Sequence, residues 1–254
     1  MSAKIKFNLQ GHKVLVTGGA SGIGLATATA FLEAGATVAV NDLPGNTLNG
    51  VVQRLAAKGH RVFTAPADIG NADIAAAMVQ QAIEDMQGLD FLINNAGTPA
   101  TRTPIAAGDF EKQDETLWNT LLNVNLLGPY RCTKAAAAAL KESKGAIVNT
   151  ASVSAFGGGG SSSPYCATKA ALVSLTREWA RALAPDVRVN AIAPGLVDSD
   201  WMCRFEDTEF DSATAIPLQR SGQPAEYAET IVYLAAGASY MTGQTVIIDG
   251  GLTT

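Results

Sequence analysis

Three residues in the middle of the chain have types and spacings that could move a proton: Ser152, Tyr165 and Lys169. Tyr165 and Lys169 stand four apart, which on a helix puts both side chains on one face and brings an ammonium beside a phenol. A free tyrosine titrates near ~10 and is a poor base at neutral pH. A close lysine charge favours the phenolate, so the pair is expected to bring that pKa down towards the working range. Ser152, thirteen residues before Tyr165, offers a hydroxyl that can hold a substrate oxygen next to the phenol. On its own the spacing carries little weight, because tyrosines and lysines fall four apart by chance.

A second, independent signal opens the chain. Thr17-Gly18-Gly19-Ala20-Ser21-Gly22-Ile23-Gly24 follows the apolar run Val14-Leu15-Val16 and precedes a helix-like stretch from Leu25 to Ala34. Strand, glycine turn and helix together set backbone N–H groups and a helix N-terminus against a pyrophosphate. Twenty residues after Gly22, Asp42 closes the apolar run Thr37-Val38-Ala39-Val40, where a carboxylate can reach adenosine ribose hydroxyls. A lone glycine pattern is often just a turn. Here strand, helix and acid are all in place, and a dinucleotide is the expected ligand.

Composition narrows the classes. The 254 residues are 47% hydrophobic and 16% charged, enough for a large buried core and unlike a disordered chain. A net charge of −5 speaks against nucleic acid and anionic membrane as partners. No apolar run approaches the roughly 18 residues of a membrane span, and residues 1–13 show no signal-peptide pattern. Cys132, Cys166 and Cys203 have no paired or metal-ligand spacing, which fits a reducing cytoplasm. With His12 and His60 the only histidines, a histidine triad or histidine-rich metal site is not expected.

The elements that must position these residues alternate along the chain. Strands are expected at 13–17, 37–41, 61–65, 91–93, 146–150, 188–192 and 245–248, as short apolar runs suited to a parallel sheet covered on both faces. Helices are expected at 24–34, 47–58, 71–87, 114–141, 164–183 and 225–236. Such alternation reads as one doubly wound α/β sheet in a single domain over residues 1–254, with neither a repeat nor a linker to divide it.

Taken in order, these residues resemble the short-chain dehydrogenase/reductase family, in its shorter branch with the TGxxxGxG turn. The resemblance covers nearly the whole chain: the turn at 17–24, Asp68, Asn94-Asn95-Ala96-Gly97, Asn125, Ser152, Tyr165-x-x-x-Lys169, Pro194-Gly195 and Asp249-Gly250-Gly251. It implies a single Rossmann domain with a seven-stranded parallel sheet. It also implies hydride transfer between a nicotinamide and a carbonyl or alcohol, with Tyr165 as acid or base, Ser152 holding the carbonyl oxygen, Lys169 lowering the phenol pKa and binding the nicotinamide ribose, and Asn125 holding a relay water.

For the cofactor it implies contacts at Gly18, Ser21, Gly22, Ile23 and Gly24, then at Asp42, Leu43, Asp68 and Ile69. Further contacts would come from Asn95, Ala96 and Gly97, and from Pro194, Gly195, Val197 and Ser199, the last at a position usually threonine. Relatives that take the 2′-phosphate usually offer a base where this chain has Ser21 or Leu43, so NAD is the expected cofactor, with Asp42 repelling the phosphate. A homotetramer is implied through helices 114–141 and 164–183, rich in small residues, and through the last strand.

Residues 198–216 fall where the family places a substrate lid. They hold Asp198, Asp200, Glu206, Asp207, Glu209 and Asp211 against Arg204, with Trp201, Met202, Phe205 and Phe210 between them. An acidic rim favours a neutral or cationic small-molecule carbonyl or alcohol substrate over an anion. The same acids could simply keep a surface loop soluble. Asp68 could instead cap the helix near Asn71, and Asn125 could be purely structural. 3-Oxoacyl-thioester reduction shares every one of these motifs; the other alternative, nucleotide sensing without turnover, keeps the fold but typically loses the serine, the tyrosine or the lysine, and all three are intact here.

Overall fold

The fold is described from a computed structural model, for residues 7–157, 159–199 and 215–254. Seven parallel strands form one sheet in the order β3-β2-β1-β4-β5-β6-β7. They are β1 (Lys13–Val16), β2 (Thr37–Asp42), β3 (Val62–Pro66), β4 (Phe91–Asn94), β5 (Ala146–Thr150), β6 (Arg188–Pro194) and β7 (Thr245–Ile248). β1 lies inside the sheet: Val16 pairs with Val40 on one side and with Ile93 on the other. The chain leaves β1 towards β2 and β3, then returns to place β4 on β1's other edge. The order reverses there, and a crevice opens at the carboxyl ends of the strands.

Alternating side chains send the strands' apolar residues to two cores. Val14, Val16, Val38, Val40, Ile93 and Val148 face a layer built from α1 (Gly22–Glu33), α2 (Asn46–Ala57) and α7 (Pro224–Val232). Leu15, Ala39, Leu92 and Ile147 face the layer of α3 (Ala72–Met86), α5 (Gly128–Ser143) and α6 (Ser163–Leu183). The stripe in α3 runs Ala75, Met78, Val79, Ala82 and Met86, the i, i+3, i+4 and i+7 rhythm of a helix with one buried face. With both sheet faces covered, continuous apolar strands are the stable solution. The fold is therefore a single-domain doubly wound α/β sheet, as the alternation predicts.

Element ends shift by a residue or two from the sequence reading, and one helix is different in kind. The single helix expected at 114–141 is α4 (Glu115–Leu121), then a π-helical turn at Leu122–Leu127, then α5. Asp114 caps its start, accepting from Leu117 N at 2.8 Å. The wide turn carries the fully buried Asn125, whose amide brackets a neighbouring loop: Thr98 N donates to Oδ1 at 2.8 Å and Nδ2 donates to Thr98 O at 2.9 Å. A π turn inside an α-helix marks a place where a side chain is re-aimed. The helix expected at 225–236 likewise ends as α7 at Val232 and continues as a π turn, Tyr233–Gly237. Among the described residues no helix is long and apolar enough to cross a membrane.

Candidate active site

At the carboxyl edge of the sheet lies a cavity of about 1140 Å³. One end is the glycine turn after β1. Thr17 closes it: its Oγ1 accepts from Asn95 N at 3.0 Å and Ala96 N at 3.1 Å, while Asn95 Nδ2 donates to Thr17 O and Gly18 O, both at 3.1 Å. A side chain at Gly24 would collide with the Gly18 carbonyl and come within 2.6 Å of Asn95 Nδ2, so that glycine permits close packing of α1 against the turn. Asp42, at the end of β2, accepts from Ala20 N at 3.0 Å and from Leu43 N at 2.8 Å. Its carboxylate is thereby tied to the glycine turn and held at the cavity wall.

Gly18, Ser21, Gly22, Ile23, Asp42, Leu43, Asp68, Ile69, Asn95, Ala96, Gly97, Pro194, Gly195, Val197 and Ser199 all line this one space. Gly24 and Asn125 do not, and act from behind the wall. A Cβ on Gly97 would meet Asn125 Oδ1 at 3.3 Å and Lys169 Nζ at 3.5 Å, so the bare glycine brings that backbone against both. Asp68 does not cap α3. Its Oδ1 accepts from Gly70 N at 2.8 Å, and the cap is Asn71, which accepts from Ile74 N at 3.2 Å. The loop at Asp68–Gly70 is also held by Arg131, whose Nη1 donates to Gly70 O at 2.7 Å and to Ile69 O at 3.3 Å, and whose Nη2 donates to Asn123 Oδ1 at 3.0 Å.

At the other end Ser152, Tyr165 and Lys169 come together. Ser152 follows β5 and is nine-tenths buried. Tyr165 and Lys169 share one face of α6, whose start is fixed by Ser162 as cap and by Pro164 in the first turn. The phenol and Ser152 line the same stretch of the cavity wall. Lys169, buried, donates from Nζ to Thr150 O at 2.8 Å and lies 5.8 Å from the centroid of the Tyr165 ring.

The electrostatics differ from the sequence expectation. The Tyr165 phenol is pushed up to about 12 rather than down, chiefly because the packed surroundings disfavour its charged form; Ser152 partly offsets this. Burial also lowers Lys169, to about 8. The reason is geometric. The ammonium is turned to the Thr150 carbonyl, and burial acts on both groups against their charges.

Sequence reasoning missed several contributors. Ser154 lines the cavity with its Oγ 2.9 Å from that of Ser152; its only sequence signal is its place two residues on. A buried amide chain also braces the site: Asn94 Nδ2 donates to Thr133 Oγ1 at 3.1 Å and to Asn149 Oδ1 at 2.9 Å, and Asn149 Nδ2 donates to Thr176 Oγ1 at 2.9 Å. It ties β4, β5, α5 and α6 together beneath the active residues. Of the residues expected as a lid, Asp198 is bonded to Gln223 Nε2 at 2.8 Å, while Asp200, Trp201, Met202, Arg204, Phe205, Glu206, Asp207, Glu209, Phe210 and Asp211 lie outside the described residues. Cys203 does too.

A sheet of this order with a cavity at its reversal point and a Ser, Tyr and Lys cluster on its wall defines a nicotinamide-type oxidoreductase. The chain belongs to the short-chain dehydrogenase/reductase family: the family model described as Enoyl-(Acyl carrier protein) reductase matches residues 18–253. It is 38% identical over 247 residues to the (2S)-[(R)-hydroxy(phenyl)methyl]succinyl-CoA dehydrogenase subunit BbsD of Thauera aromatica, covering 96% of this chain and 97% of that one. Among solved structures, a short-chain dehydrogenase from Burkholderia cenocepacia J2315 in complex with NADP superposes with a TM-score of 0.86 at 31% identity, over 97% of this chain and 100% of that one. A 3-oxoacyl-[acyl-carrier protein] reductase from Brucella melitensis with bound NAD gives 0.84 at 31% identity, over 100% and 98%.

Proposed function

We propose that the protein transfers hydride between NAD(H) and a secondary alcohol or ketone, with Tyr165 as proton donor and acceptor. The observation that carries this reading is the meeting of Ser152, Tyr165 and Lys169 on the wall of a cavity that begins at Asp42 and the glycine turn. The residues fit a nicotinamide dinucleotide. The bare Gly18, Gly22 and Gly97 leave room at the wall, and Asp42 stands where ribose hydroxyls need an acceptor. Ser21 to Gly24 would hold the pyrophosphate, and Asp68 and Ile69 the adenine. Asn95 to Gly97 with Lys169 would hold the riboses; Pro194, Gly195, Val197 and Ser199 would hold the nicotinamide. The bound cofactor supplies or accepts the hydride.

The chain's own residues handle the proton. A phenol near 12 keeps its proton at neutral pH, the state a general acid needs when a carbonyl is reduced. Ser152 donates to the same oxygen and stabilises charge developing on it. Lys169 lies beneath, and Asn125 fixes the backbone at Gly97–Thr98 against it. NAD is favoured over NADP because a 2′-phosphate would meet the Asp42 carboxylate, with Leu43 and Ser21 offering no countercharge.

The substrate end favours an uncharged reacting group. Among the described residues lining the cavity the charged ones are Asp42, Asp68 and Lys169, and the one cation of the three, Lys169, donates to Thr150 O. The 3-oxoacyl-thioester reading has its support in the relatives, one named for a CoA compound and one for an acyl-carrier-protein thioester. A homotetramer is supported by exposed small residues on α6 (Ala167, Ala170 and Ser174) and by half-exposed Ile247 on the edge strand β7. The test is a panel of neutral, cationic and carboxylate-bearing ketones plus 3-oxoacyl thioesters, assayed with NADH and NADPH. Turnover best with NADH and a neutral ketone supports the reading. Tight cofactor binding with no turnover across the panel contradicts it.

A further inference from the structure

The proposed chemistry leaves the motif Asp249-Gly250-Gly251 unused, yet the turn it builds reaches the cavity. Asp249 follows β7 and folds the next residues back on itself. Its Oδ1 accepts from Gly251 N at 2.9 Å, and its Oδ2 accepts from Thr253 N at 2.9 Å and from Thr253 Oγ1 at 2.7 Å. Leu252 N donates to Asp249 O at 3.2 Å. Gly250 and Gly251 have φ of 66° and 92°, the left-handed region that glycine tolerates. A Cβ at Gly250 would come 2.7 Å from Ile216 Cγ2, and one at Gly251 2.9 Å from Pro217 Cγ. Leu218 N closes that contact by donating to Gly250 O at 3.1 Å. On the other side a Cβ at Gly195 would lie 2.7 Å from Asp249 Cβ. The turn is thus wedged between Gly195 and Ile216–Leu218, and it brings the half-buried Leu252, with Thr253, to the cavity wall.

We propose that Leu252 is a specificity-determining residue that packs against a bulky apolar substituent of the ketone, and that Asp249 is the positioning residue that holds it there. This rests on the reading given above, in which Gly195 borders the nicotinamide; a turn pressed against Gly195 then borders the space where the ketone must lie. Pro194 and Leu196, the lining residues on either side of Gly195, are apolar as well. The Asp249 charge stands behind this wall, with both oxygens accepting from the turn itself. The Thr253 hydroxyl directs its proton at the same carboxylate. What the turn presents is therefore mainly the Leu252 hydrocarbon, which suits a bulky apolar group better than a small or charged one.

The experiment compares the wild type with Leu252→Ala, Asp249→Asn, Asp249→Ser and the double variant Leu252→Ala/Asp249→Asn. Two neutral ketones are used that share one substituent and differ in the other, cyclohexyl against methyl. The readouts are kcat/KM for each ketone, the dissociation constant of the reduced cofactor and Tm. The wild type should prefer the cyclohexyl ketone, and Leu252→Ala should cut that preference by about tenfold, with cofactor affinity held within about twofold. Asn and Ser at 249 lose acceptors for the turn, so both should shift the preference in the same direction. Because Asp249 acts through Leu252, the double variant should go no further than Leu252→Ala alone. A preference that Leu252→Ala leaves unchanged would overturn the proposal, as would a wild type that favours the methyl ketone. So would a fall in cofactor affinity that matches the loss in kcat/KM, since it places Leu252 against the cofactor. Asp249 variants that lose Tm, or activity on both ketones alike, with the preference kept, would overturn the positioning role. A wild type that binds cofactor and reduces neither these ketones nor any of the panel fails the functional reading itself; normal turnover with an unmoved preference fails only the role of Leu252.

Discussion

Replacing Lys169 by methionine should stabilise the folded protein while destroying its activity, and the size of the effect follows from the site. The ammonium is buried, and its pKa falls from 10.5 to about 8 on folding because burial disfavours the charge. Below the folded value the lysine is protonated in both states. The folded state then carries a penalty of about 3 kcal/mol, from roughly 2.5 pKa units at 1.36 kcal/mol each. Between the folded and unfolded values the unfolded chain binds more protons, so stability rises with pH; about 2 kcal/mol of the penalty is relieved between pH 7 and 9.5. Methionine fills a similar volume without the charge, but it leaves Thr150 O without its donor, a loss on the order of 1–3 kcal/mol. That loss does not depend on pH, so the pH trend isolates the charge. Chemical denaturation of both proteins at equal concentration, at pH 7, 8, 9 and 9.5, is the assay. Relative to the variant, the wild type should gain about 2 kcal/mol across that range, or roughly 4–8 °C in Tm. A stability difference that stays constant from pH 7 to 9.5 would refute the reasoning, because the ammonium would then carry no burial penalty.

Other expectations follow from neighbouring contacts. Asp42→Ala should cut the kcat/KM preference for NAD over NADP by about tenfold or more, measured as the ratio for the two cofactors, because it removes the repelling carboxylate. Arg131→Met frees the carbonyls of Ile69 and Gly70; cofactor KM should rise roughly tenfold with kcat little changed, and an unchanged KM would separate Arg131 from the site. Light scattering at micromolar concentration should give the mass of four chains, and the mass of one chain would reject the tetramer.

The sheet was legible because each strand is a short apolar run and each helix between carries its own periodicity, so local pattern and tertiary burial agree. That the glycine turn and Asp42 share one cavity wall was legible for a related reason: turn, strand end and acid lie close in sequence. What escaped were features made by contacts across long separations. The π turn at Leu122–Leu127 looks like ordinary helix in sequence, and it carries the grip of Asn125 on Thr98, twenty-seven residues away. The amide chain through Asn94, Asn149 and Thr176 joins residues up to fifty-five apart, and of these only Asn94 belongs to a motif the sequence shows. The direction of the Tyr165 shift was misjudged because spacing gave the distance to Lys169 but not where the ammonium points. Burial sums over several elements, and no single motif reports it.

The claim that Tyr165 transfers the proton is tested most directly by Tyr165→Phe, which removes the transferable proton and keeps the ring. The measurement pairs turnover of the best ketone with the dissociation constant of the reduced cofactor. Turnover should fall by at least about 10²-fold, the contribution of a positioned acid, while cofactor affinity stays within about twofold of wild type. Near-normal turnover in this variant, with cofactor still bound, would contradict the account.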